Sequence, residues 1–159
     1  VTYTVMLPVK KRDIVTAKYL FVLFIELTAF ILCTLLTIIR MKILGTAVPY
    51  ATNQLMNANM AYFGYTMIVF AVFNSIFLAG FFKTTYKIGK PFFIFCIVSF
   101  IIIIMGEILH HIPDLESLNN PSNLSMPQVV IFAIGIVVFM LCTWLSYQKA
   151  VKDFEGIDL

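Results

Sequence analysis

Few side chains in this sequence can do chemistry, and the most informative of them sit inside long apolar runs. Glu26 is the single carboxylate in the run Tyr19 to Ile39. In a helix begun at Tyr19 it lies seven residues in, ~10 Å at 1.5 Å per residue. A charged carboxylate at such a depth in lipid costs on the order of 3 kcal/mol. Glu26 must therefore face other helices, face a polar cavity or carry a proton. Two readings follow: a residue of a substrate path or gate, and a polar helix–helix contact. Asn74 lies in a second apolar run beside Ala71, Ser75 and Ala79, small residues spaced four apart. Such a face lets helices approach closely, and an Asn hydrogen-bonds across the contact. Packing is the first reading there and a ligand site the second.

Glu107, His110 and His111 cluster near the end of a third run. Glu107 and His111 are one turn apart and have the side chains to share a metal. Two protein ligands are too few for a zinc-type site, so they read as polar residues at an interface. Cys33, Cys96 and Cys142 all lie in apolar runs, where cysteine behaves as a small hydrophobe. No phosphate-binding loop is present: Gly89-Lys90 is followed by Pro91 and lacks the upstream glycine. The H-E-x-x-H and G-x-S-x-G patterns are absent too. Asn123-Leu124-Ser125 fits a glycosylation acceptor, a motif common by chance. No catalytic, cofactor-binding or metal residue is expected, and the chain does not read as an enzyme.

Composition identifies the elements that position these residues. The 159-residue chain is 61% hydrophobic and 12% charged, with 16 Phe. That leaves too little polar material for a water-facing surface, against roughly 45–50% apolar in soluble proteins. The fold class expected is all-α: a polytopic helical membrane protein, one transmembrane domain over residues 1–159. Four runs are long enough to span a bilayer, at about 19–39, 61–82, 91–109 and 128–147. They are continuously apolar, which excludes the alternating pattern of barrel strands.

The net charge of +3 does not mark a nucleic-acid surface, because the basic residues sit at the ends of apolar runs. All but two of the eleven Lys and Arg fall on one side of the expected topology: Lys10, Lys11, Arg12, Lys18, Lys83, Lys87, Lys90, Lys149 and Lys152. Arg40 and Lys42 fall on the other. The positive-inside rule makes the rich side cytoplasmic, with residues 1–18, the tail 148–159 and both termini inside. Tyr19, Trp144 and Tyr147 are expected at the inner membrane interface, Tyr62 and Tyr65 at the outer one.

The segment Leu7 to Thr16 carries charge directly into the first span. Pro8 is placed to start a helix, but Lys11 and Lys18 interrupt its apolar side, so lipid-surface binding is weakly supported. The segment serves as a topology anchor or as a handle for a protein partner.

The pattern L-P-V-K-K-R-D-I-V-x-x-K-Y, from Leu7 to Tyr19, resembles the cytoplasmic segment of bacterial ABC exporter permeases of the second type. The stretches N-A-N-M-A-Y-F-G and F-N-S-I-F…F-F-K-T-T-Y-K-I-G-K-P-F, within Asn57 to Phe92, resemble the same group. So does S-Y-Q-K-A-V-K-D-F-E-G-I-D-L, from Ser146 to Leu159. The resemblance implies a membrane subunit of about six helices, of which these four would be the last, in a chain lacking the first two. It implies a pathway formed with a second copy or a related permease, and a separate cytoplasmic ATPase subunit that holds ATP and Mg. Leu7 to Val15, with Pro8, Lys10, Lys11, Arg12 and Asp13, would couple to that subunit. The competing reading is a stand-alone membrane sensor or immunity-type protein whose basic segment only anchors it.

Overall fold

The computed structural model describes residues 10–44, 55–84, 87–120 and 125–157. Among these, all regular structure is helical. Four helices are long and apolar enough to cross a membrane: α1 (Lys11–Ile39), α2 (Met60–Lys83), α3 (Gly89–Leu109) and α4 (Met126–Glu155). Helix is the form such sequences must take in lipid, where every N–H and C=O needs a partner within its own segment. α1 starts well before the expected span, because the basic segment from Lys11 onward winds continuously into the apolar run. Its 29 residues extend ~43 Å, longer than the ~30 Å hydrocarbon layer.

The chain runs up and down. The start of α1, the end of α2, the start of α3 and the end of α4 meet at one end of the bundle. Val15, Tyr19, Leu78, Phe82, Ala150 and Phe154 form a buried cluster there. Pro91, opening α3, packs where a Cβ on Gly80 would stand, 2.9 Å away. This topology carries the nine basic residues named above to that same end.

α4 and α2 form the central pair, α1 lies against them, and α3 packs on α2. Two glycines set the closest approach. A Cβ on Gly64 would lie 2.6 Å from the Ile131 carbonyl oxygen, and one on Gly135 would meet the Gly64 carbonyl oxygen. Backbone touches backbone there, as small residues allow between membrane helices. On the other flank, α3 meets α2 through edge-on rings, Phe73 with Phe95 at 5.2 Å and Phe77 with Phe92 at 6.0 Å.

The small-residue face expected along Ala71, Ser75 and Ala79 does not form. Residues Phe73–Leu78 wind as a π-helix, so the four-residue stripe breaks in the middle. Ala71, Asn74, Leu78 and Ala79 turn inward and Ser75 outward. The outward faces of the bundle are apolar, with Phe24, Phe93, Phe100 and Met140 among the exposed side chains, a surface suited to lipid.

The end opposite the basic cluster is closed by amides. Asn59 caps α2 by accepting the Tyr62 N–H at 3.1 Å and donates to the Leu118 carbonyl at 2.7 Å. Gln128 is buried and donates to the Ser117 and Asn120 carbonyls, both at 2.9 Å. These bonds fix the short 3₁₀ turn Glu116–Asn119 against α2 and α4.

Candidate functional site

The two polar residues singled out in the apolar runs come together. Asn74 Nδ2 donates to Glu26 Oε2 at 3.1 Å and to Thr143 Oγ1 at 3.0 Å. One side chain of α2 thereby joins α1 to α4. Both hydrogens of the amide are used, as a fully buried amide requires.

The π-turn puts Asn74 in this position. Its backbone carbonyl accepts from the Ala79 N–H, five residues on instead of four. It also accepts from Ser146 Oγ at 2.5 Å. The single hydrogen of Ser146 is spent on that bond. Tyr19 therefore donates its hydroxyl hydrogen to Ser146 Oγ, at 2.7 Å. The result is a buried chain of polar groups, Tyr19–Ser146–Asn74–Glu26 with Thr143, at the junction of α1, α2 and α4. Wide turns of this kind occur often at functional sites.

Two acceptors in the junction remain unmatched. Glu26 Oε1 and Asn74 Oδ1 are buried with no hydrogen-bond partner among the described residues. The junction adjoins a groove of about 500 Å3 between α1 and α4, lined by Tyr19, Leu23, Met140, Thr143 and Trp144. Thr143 belongs to both, so the polar chain reaches the wall of a groove that is otherwise apolar. Tyr19 is thus not the interface aromatic expected of it. It is 3% exposed, committed to Ser146, and in edge contact with Tyr147 at 5.5 Å. Trp144, in contrast, is exposed.

The basic end is a second cluster. Pro8 lies outside the described residues, as do Leu7 and Val9 of the expected coupling segment. Lys10 is exposed just before α1, and its carbonyl accepts the Asp13 N–H at 2.9 Å. Asp13 is exposed in the first turn, where a carboxylate complements the helix dipole. Arg12 is exposed, with its Nε 3.5 Å from the Tyr147 hydroxyl. Lys11 turns inward instead: its ammonium donates to the Ile157 and Glu155 carbonyls at the end of α4. A cation on the free carbonyls of a helix end is favourable, and this one fastens the start of α1 to the end of α4.

Glu107 and the histidines are far from Glu26, at the opposite end of the bundle. Glu107 Oε2 accepts the Met56 N–H at 3.0 Å. His110 is buried and lies 4.1 Å, ring to ring, from His111. Among the described residues no three His, Cys, Asp or Glu side chains group closely enough to hold a metal.

Sequence reasoning named Glu26 and Asn74 without pairing them, and it missed Thr143, Ser146, Gly64 and Gly135. Thr143 and Ser146 carry a usable signal, two hydroxyls at i and i+3 within an apolar run. Gly64 and Gly135 carry a weaker one: Gly135 has no small residue three or four positions away, and Gly64 has only Ala61 three positions before it.

Compared with known proteins, residues 2–155 match the model of a family described as ABC-2 family transporter protein. No curated protein and no solved structure matches the chain. The matched region takes in all four helices, the buried polar junction and the basic end, and the chain belongs to the ABC-2 transporter family.

Proposed function

We propose that this chain is the membrane-spanning subunit of an ABC exporter, providing the substrate path and receiving motion from a separate ATPase subunit. The observation that carries the reading is the basic end. It gathers one end of each of the four helices, and it presents Lys10, Arg12 and Asp13 outward. The sequence contains no phosphate-binding loop, so ATP and Mg belong to the partner. Positive-inside reasoning puts this end, and both termini, in the cytoplasm, where such a partner resides. The apolar outer faces of α1 and α3 are where a second copy or a related permease would complete the pathway.

The geometry favours transmission over simple anchoring. A push on the first turn of α1 acts on a rigid helix whose Glu26 lies ~22 Å further along. Through Lys11 it also acts on the end of α4. Both helices meet again at Asn74. Displacement at the basic end therefore bears on the buried junction and the groove beside it. The test is co-purification of the full-length protein with an ATP-binding subunit. Lys10→Glu with Arg12→Glu is expected to release that subunit while leaving the thermal midpoint in place. Absence of any ATPase partner, or binding untouched by the charge reversal, contradicts the reading.

A further inference from the structure

At the end opposite the basic cluster a second cavity of about 300 Å3 lies between α2 and α3. Tyr62, Tyr65, Thr66 and Val69 line it from one face of α2, at i, i+3, i+4 and i+7. Ile103, Gly106 and Glu107 line it from α3, and Met56 closes one side. Gly106 makes room: the Tyr65 ring lies 3.5 Å from where its Cβ would be, an ordinary contact. The wall is otherwise aromatic and aliphatic.

Three groups in this cavity are available to a donor. Glu107 is a carboxylate whose one partner among the described residues is the Met56 N–H, on Oε2. The Tyr65 hydroxyl is buried and has no hydrogen-bond partner among the described residues. Thr66 spends its hydrogen on the Tyr62 carbonyl at 3.0 Å, which leaves its oxygen free to accept. Among the described residues Glu107 makes no ion pair, and in a pocket of low polarity a bound cation would supply the counter-charge. The rings of Tyr62 and Tyr65 line the cavity, and aromatic surface of this kind is favourable to an organic cation. Two or fewer ionisable ligands do not make a metal site, and an aromatic wall suits an organic cation better. We propose that this cavity binds a primary alkylammonium group, which donates to Glu107, Tyr65 and Thr66 while its alkyl chain lies along Val69 and Ile103. This does not rest on the exporter reading, since every residue it uses lies in this one chain and away from the basic end.

The test is calorimetric titration of n-butylammonium chloride into the full-length protein in lipid nanodiscs, with n-butanol as the uncharged comparison. Wild type should bind butylammonium saturably and butanol not at all. Glu107→Gln keeps an oxygen for the Met56 N–H, so the fold should persist, but affinity should fall about tenfold or more with the loss of a charge-assisted bond. Tyr65→Phe should weaken binding several-fold, and unchanged thermal midpoints separate these effects from unfolding. No saturable binding to wild type overturns the proposal. So does equal binding by butanol, or by Glu107→Gln.

Discussion

Asn74 is the residue on which the interior turns, because its amide and its carbonyl together hold three helices. Replacing it with Leu keeps the volume and removes both side-chain bonds. Glu26 and Thr143 then lose their donor, at a cost of about 1–3 kcal/mol for buried groups left unmatched. Glu26→Ala should cost a similar amount, whereas Glu26→Gln retains an acceptor for Asn74 and can donate to Asn74 Oδ1, so it should be close to neutral. A double-mutant cycle on Glu26 and Asn74, read by reversible unfolding in mild detergent, should give a coupling of roughly 0.6–2 kcal/mol. Additive effects would mean that the two side chains do not bond. At the basic end, Lys11 ties the start of α1 to the end of α4. Lys11→Met keeps the apolar stem and should lower stability by about 0.3–1 kcal/mol through the lost helix-end cation. Lys10→Met, at an exposed position, should not.

Among the elements, the α2–α4 contact is the least forgiving. Gly135→Ala puts a methyl against the Gly64 backbone, where neither side has a flexible chain to move aside. The expected loss is about 1–3 kcal/mol from overpacking, measured as a lower thermal midpoint. Gly89→Ala, with open space around it, serves as a control and should cause no loss. The four helices themselves were legible in the sequence, because length and continuous apolarity determine what lipid accepts. Glu26 was legible as a residue that needs company, since isolated charge in lipid is costly. Its company was not. The partner is Asn74, and the π-turn that aims Asn74 depends on tertiary contacts with α1 and α4, which no spacing rule on α2 anticipates. The same turn is why the stripe through Ser75 failed. Tyr19 misled for a related reason: an aromatic near a span's end fits an interface belt, yet the helix here begins earlier and carries that ring into the core.

At the scale of the whole molecule, charge and polarity divide the bundle into three levels. A basic end ties α1 to α4, a polar junction joins α1, α2 and α4 within the apolar layer, and an amide-sealed end carries the cavity at Glu107. In the proposed exporter, motion enters at the first level and is felt at the second. The most direct test is photo-cross-linking from position 10 in intact cells, with a photoreactive amino acid in place of Lys10 of the full-length protein. The account predicts a cross-linked product containing a cytoplasmic ATP-binding subunit, lost when the same probe replaces Lys42 at the opposite end. Cross-links from position 10 to lipid or to extracytoplasmic proteins only would contradict both the orientation and the coupling.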